Sequence, residues 1–264
     1  MGLVNLTKDN YHSKEADLDY FSVSQFKAFR ACEAGALADL RGEYPKETTT
    51  ALLVGSYVDA YFAGTLGEFR RDHPEILNSR TGALKADFKK ANDMIARLER
   101  CNLIMSFMSG KPQVIMTAEL FGYPWKIMMD FYDGEKIVDL KTVKDFGAIF
   151  DDRYRARRGW VEYWGYDLQG AIYQRVEQIV SGRKEPLPFY IAAVTKEDVP
   201  DIGLFQIPQY QLDSALKAWG VEDLIDRYDL IKTGDIKPHR CECCKYCKTT
   251  REITAPVVYE MEEV

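Results

Sequence analysis

No stretch of the 264-residue chain approaches the ~20 consecutive apolar residues that cross a bilayer, so no membrane partner is expected. The first residues, Met1-Gly2-Leu3-Val4-Asn5-Leu6, have neither the basic region nor the long apolar stretch of a secretory leader. The expected compartment is therefore the cytoplasm. Positive charge is not in surplus either: 41 acids stand against 35 bases, a formal charge of -6. That balance excludes a surface coated in cations for nucleic acid, and any such contact has to come from a local patch. Repeats, low-complexity tracts and long Gly/Ser/Pro linkers are also missing, which favours one continuous domain over 1–264.

What is present is an ordinary globular composition, with 46% hydrophobic, 29% charged and 12% aromatic residues, ample for a buried core. The N-terminal part, about 20–110, reads as helical. Ser22-Val23-Ser24-Gln25 caps a helix that the apolar spacing carries to Leu40, and further helices are predicted over Thr50–Ala63 and Lys85–Arg100. From residue 111 to 208 the period changes to two. Strands are predicted over 113–121, 124–131 and 136–142, joined by turns at Gly122-Tyr123 and Asp133-Gly134. A helix over Trp160–Val180, two strands at 189–194 and 203–207, and a helix over Gln209–Thr233 follow. The last section, 209–264, ends in a cysteine cluster. The expected fold class is α/β or α+β, with a central mixed sheet flanked by helices.

Asp130 to Lys141 carries the most legible chemistry. With Asp133-Gly134 as a two-residue turn, Asp130 lies opposite Ile137, and Asp130, Asp139 and Lys141 share one face, while Ile127, Met129, Phe131, Val138 and Leu140 share the other. In the preceding hairpin Glu119 faces Lys126 on the same side as Asp130. Two or three hard oxygen ligands beside a lysine suit Mg²⁺ or Mn²⁺ together with substrate phosphate oxygens. The alternative is an exposed hairpin face with ordinary cross-strand ion pairs.

Asp130 followed by Ile137-Val138-Asp139-Leu140-Lys141-Thr142 resembles the PD-(D/E)XK nuclease signature in its Asp-x-Lys form. Gln169-Gly170-Ala171-Ile172-Tyr173 resembles the Gln-x3-Tyr motif of the RecB-like and RecE-like branch. Leu53 to Phe62 takes the place of that branch's helix motif, with Asp59 where a metal-binding His is usual. The resemblance spans roughly 20–250 and is strongest to phage-encoded RecE-like exonucleases. It implies a restriction-endonuclease-like core, a metal held by Asp59, Asp130, Asp139 and the Leu140 carbonyl, and catalysis by Asp130, Asp139 and Lys141 with Glu119 as a further acid. It also implies hydrolysis of one strand at double-stranded DNA ends from the 5′ side, in host cytoplasm. The 3′ single strands left behind would serve an annealing recombinase, and members of this group are often homo-oligomers. The runner-up is a structure-specific or single-strand DNA endonuclease with the same site, and a nuclease-fold DNA-binding or interaction module that has lost catalysis is the remaining class.

Cys241, Cys244 and Cys247 form a Cys-x2-Cys-x2-Cys run, a spacing suited to thiolates on one metal centre. Cys243 or His239 offers a local fourth ligand for zinc, although adjacent Cys243 and Cys244 point apart. The segment Ser22 to Glu33 resembles the early cysteine segment of iron–sulfur members of the same nuclease branch. That resemblance implies a [4Fe-4S] cluster on Cys32, Cys241, Cys244 and Cys247, with Zn²⁺ as the alternative. Cys101 reads as a small buried or loop residue.

Arg153, Arg155, Arg157 and Arg158 are the densest basic run and, with Gln169 and Tyr173, are the candidate DNA contacts. Trp160, Tyr163 and Trp164 follow at once, a composition suited to stacking on unpaired bases.

Overall fold

The computed structural model describes residues 2–45, 47–256 and 258. The period-two region folds as antiparallel strands β1 (Lys111–Leu120), β2 (Tyr123–Tyr132) and β3 (Ile137–Val143). A short hairpin of β4 (Ile149–Asp151) and β5 (Ala156–Arg158) forms a separate ladder. β6 (Phe189–Thr195) then returns parallel to β3, and β7 (Ile202–Gln206) runs antiparallel to β6. The main sheet has the order β1-β2-β3-β6-β7, so it is mixed, as its period and helical interruptions predict.

Before the sheet lie α1 (Lys14–Asp19), α2 (Val23–Ala31), α3 (Glu33–Arg41), α4 (Thr50–Phe62), α5 (Leu66–Asp72), α6 (Ala86–Glu99) and α7 (Asn102–Phe107). The crossover from β3 to β6 carries α8 (Trp160–Trp164) and α9 (Tyr166–Ser181), as parallel strands require. After β7 come α10 (Gln209–Trp219), α11 (Val221–Thr233) and α12 (Lys245–Thr249). Among the described residues, no helix is long and apolar enough to cross a membrane. Two apolar clusters flank the sheet. One joins it to α2, α3, α9, α10 and α11, and the other to α4, α6 and α7.

Three helices read as continuous from the sequence are each two. Gly165 and Gly220 adopt left-handed φ of 65° and 66°, which glycine reaches without a Cβ clash, and each ends one helix and opens the next. At Cys32 the backbone turns extended and separates α2 from α3. Along α9, Leu168, Ile172 and Val176 are buried, while Ile179, which continues their helical spacing, is 51% exposed.

The hairpin registers also differ. Phe121 and Gly122, both at positive φ, form the first turn, so Glu119 pairs with Pro124 and Lys126 with Thr117. The second turn takes four residues, pairing Tyr132 with Ile137 and Phe131 with Val138. A slip of two residues keeps every side chain on its face, because the strand period is two, but it changes the partners. β2 and β3 then part. Beyond Val138 their ladder stops, and the Leu140 N–H donates to Asp130 Oδ2 at 2.8 Å. The apolar side chains expected on one face consequently divide: Ile127 and Met129 pack with α9, whereas Phe131, Val138 and Leu140 pack with α4 and α6.

Phe21 bonds the freed edge of β2. Its N–H donates to Pro124 O and its carbonyl accepts from Lys126 N–H, both at 2.8 Å. The N-terminal segment is thereby laid into the fork.

Candidate active site and cysteine centre

The fork between β2 and β3 opens a cleft of about 210 Å³. Asp130 enters it from β2, and Asp139 and Lys141 from β3. Gln169 and Tyr173 reach it from α9, Asp59 from α4, and Ser24 and Lys27 from the start of α2. The close approach of two helices makes this convergence possible. A Cβ on Gly55 would lie 3.1 Å from Thr142 Oγ1, so glycine lets α4 rest on β3, with Asp59 one turn further along. A Cβ on Gly170 would come within 2.5 Å of the Phe189 ring, so α9 can sit low on β6 only with glycine there.

Asp139 is 1% exposed. Its Oδ1 accepts from Gln169 Nε2 at 2.6 Å, and its Oδ2 lies 2.6 Å from Lys141 Nζ. The second contact is an ion pair without hydrogen-bond alignment, so Oδ2 has no directed donor. Tyr173 donates its hydroxyl to Met128 O at 3.0 Å and fixes the diverging strand. Thus Gln169 and Tyr173, expected to share a helix face and reach DNA or the active site, both line the cleft, where Gln169 holds the carboxylate and Tyr173 the strand.

Electrostatics in the cleft favour an added cation. Burial, then the charge of Asp139, raises the Asp130 pKa well above the carboxylate range. Burial also pushes Asp59 up to about 7, although its exposed surface allows solvent to screen that shift. Burial opposes the charge of Lys141, but Asp139 and Asp130 outweigh it and raise the Lys141 pKa. Lys27 was not recognised in the sequence. Burial and the neighbouring Lys141 lower it to about 8. Nothing in the local sequence marks it, because a fold contact between Phe21 and β2 brings it to the site.

Glu119 does not belong to this group. Its register places it exposed beside Pro124, while Lys126 is buried and donates to Tyr11 O at 2.5 Å and Asp17 Oδ1 at 2.7 Å. The arginine run folds as the β4–β5 hairpin. Arg157 donates to Ala148 O at 2.6 Å and Arg158 pairs with Asp151 at 3.2 Å, while Arg153 and Arg155 remain exposed without those ties. Of the three aromatics that follow, Trp160 is buried in the core and Trp164 is 50% exposed.

The two ends of the chain meet. Cys32, Cys241, Cys244 and Cys247 bring their sulfurs within 4.8 Å of one another, the arrangement expected of one metal centre. Glu33 secures the approach. It pairs with Arg227 through two contacts of 2.7 Å and accepts the His239 N–H at 2.6 Å. Cys243 is exposed and Cys101 caps α7 as a free, half-buried thiol.

A family model described as "PDDEXK-like domain of unknown function (DUF3799)" matches residues 22–250. The chain belongs to this PDDEXK-like family. The match runs from the capping serine of α2 to the end of the cysteine segment, so the matched span covers the residues of both the cleft and the cysteine centre. A crystal structure named "Putative exonuclease", from Eubacterium rectale, is 42% identical to the PDDEXK-like chain, with 97% of each chain covered and a TM-score of 0.91. No curated protein matches.

Proposed function

We propose that this PDDEXK-like protein is a divalent-metal-dependent exonuclease that hydrolyses one strand of linear double-stranded DNA from the 5′ side. The 3′ single strands it leaves would suit an annealing recombinase of phage type. The observation that carries the reading is the forked pair β2–β3, which collects Asp130, Asp139 and Lys141 in one cleft beneath Gln169. The name of the Eubacterium rectale structure supports the exonuclease class.

The donor set fits a hard divalent ion. Asp59, Asp130 and Asp139, with the Leu140 carbonyl, would hold Mg²⁺ or Mn²⁺, and Asp130, raised by burial and then by the charge of Asp139, is a carboxylate whose ionised form a bound cation would stabilise. When bound, such an ion offsets charge on the scissile phosphate and acidifies a water. The chain's own groups do the rest. Gln169 holds Asp139 in one orientation, so that carboxylate faces the cleft without a search through rotamers. Lys141, kept protonated by its acid neighbours, orients the attacking oxygen or stabilises the phosphate. Lys27 adds a second cation near Lys141.

The four cysteines would carry a [4Fe-4S] cluster as a clasp between the chain's ends, a role supported by the Cys-x2-Cys-x2-Cys run. One observation favours zinc. Cys32 and Cys247 sulfurs lie 3.6 Å apart and Cys241 and Cys247 sulfurs 3.9 Å, close to the ~3.8 Å edge of a tetrahedron with Zn–S bonds of about 2.3 Å. Visible absorption of an anaerobic preparation, with elemental analysis, selects between them.

The functional test incubates end-labelled linear and closed circular DNA with Mg²⁺, using the wild type and Lys141→Ala. Digestion of linear DNA alone, lost in the variant, is the expected result. Cutting of circles would select an endonuclease, and no cutting a binding module.

A further inference from the structure

A second, larger groove of about 920 Å³ runs beside the catalytic cleft. Lys27 lines both, so its side chain stands where the two adjoin. The β4–β5 hairpin, α8, the second half of α2 and the end of α10 enclose it. Two aromatic side chains are left open along it, Tyr154 at 52% exposure and Trp164 at 50%. Cations accompany them. Arg158 lies 4.8 Å from the Tyr154 ring centre, Arg30 lies 6.0 Å from that of Trp219, and Arg153 is exposed at the hairpin turn.

The charge in this groove departs from that of the whole chain. Lys27, Arg30, Arg153 and Arg158 face Asp151 and Asp152, and Asp151 is already neutralised by Arg158. A local positive surface on a chain of charge -6 selects a polyanion. Open aromatic planes interleaved with those cations select one whose bases are unpaired, because stacking needs an exposed base face that a duplex keeps covered. Trp164 is also tied to the cleft. Its carbonyl accepts from Lys27 Nζ at 2.9 Å, so the stacking platform and the catalytic wall share one anchor.

We propose that this groove is a track for an unpaired DNA strand, held by stacking on Trp164 and Tyr154 and by phosphate contacts to Arg30 and Arg153, leading to or from the cleft. This rests on the nuclease reading and adds the conformation of the substrate strand outside the cleft.

The test uses the full chain without added metal and a fluorescein-labelled 20-nucleotide oligothymidylate, read by anisotropy. Trp164→Ala/Tyr154→Ala is expected to weaken binding by at least about tenfold, the scale of one to two lost stacks. Trp164→Phe/Tyr154→Phe should restore most of the affinity, which a merely structural role for the hydroxyl and indole nitrogen would not do. Arg153→Glu, at an exposed turn where folding is not at stake, should weaken binding and reduce its salt slope. Unchanged affinity in both the double alanine and Arg153→Glu proteins overturns the proposal, as does a wild type that does not bind the oligonucleotide. A parallel hydrolysis assay with Mg²⁺ separates the two readings. Intact hydrolysis with unchanged strand affinity removes only the groove, whereas strand binding without any hydrolysis by the wild type removes the nuclease.

Discussion

Asp139 and its neighbours concentrate the chemistry in a few side chains, and the charges of two of them, Asp130 and Asp59, oppose folding. Asp130 and Asp59 have folded-state pKa values above the ordinary value of 3.8, because burial and neighbouring carboxylates disfavour their ionised forms. The folded, metal-free protein therefore binds more protons than the unfolded chain between about pH 7 and about pH 4. Acidification through that window adds stability, and raising the pH removes it. Asp130→Asn, which removes one of these charges, is expected to raise the thermal midpoint of the metal-free protein at pH 7.5 by several degrees and to flatten its rise on acidification. Scanning calorimetry at several pH values checks this, and an unchanged or lower midpoint would show that Asp130 is not under electrostatic strain. Asp139→Ala should lose at least about 10²-fold in hydrolysis with the fold intact, measured by nucleotide release and circular dichroism. Gln169→Ala should lose activity less severely, because it removes the support of Asp139 and leaves the carboxylate in place.

At the scale of elements, close packing sets the site. α9 lies on β6 with Phe189 and Leu212 against Gly170, and a Cβ there would meet both. Gly170→Ala is expected to destabilise by about 1–3 kcal/mol in urea denaturation and to lower activity, since the helix that carries Gln169 has to lift. The forked strands have a similar consequence. β2 pairs with β3 only from Phe131 onward, and the edge left open before it accepts Phe21, which places α2 and Lys27 beside the catalytic carboxylates. The strand pattern 130–141 was legible from its period of two, and its shared acidic face survives in the structure. The turn residues were not decisive. Asp133-Gly134 suggests a two-residue turn, but four residues make it, and Phe121 takes a positive φ that its side chain does not advertise. Those choices displaced Glu119 from the site while leaving Asp130, Asp139 and Lys141 together.

For the whole molecule, the cysteine centre joins residue 32 to residues 241–247 and connects to the cleft through α2, which begins at the active site and ends at Cys32. Cys32→Ser should therefore reduce the thermal midpoint by several degrees and also lower hydrolysis, although Cys32 touches no cleft residue. Loss of bound metal, read by elemental analysis, should accompany both effects. If the midpoint and metal content are unchanged, the centre is not a clasp.

The sequence alone determined the mixed sheet, the Asp130–Asp139–Lys141 face and the Gln169–Tyr173 pair. The sheet and the acidic face depend on local periodicity, which a strand imposes over a few residues whatever surrounds it, and the Gln169–Tyr173 pair on the resemblance of its motif to a known nuclease branch. It also pointed to the meeting of Cys32 with the late cysteines, through the resemblance of their segments to a known branch. Only the tertiary structure decided that Lys27 belongs to the cleft, that Glu119 does not, and that half of the arginine run is spent on its own hairpin. The first depends on which strand edge is left to pair, through contacts between residues more than a hundred positions apart that no local pattern encodes, and the other two on turn and hairpin geometry that the residue types do not announce.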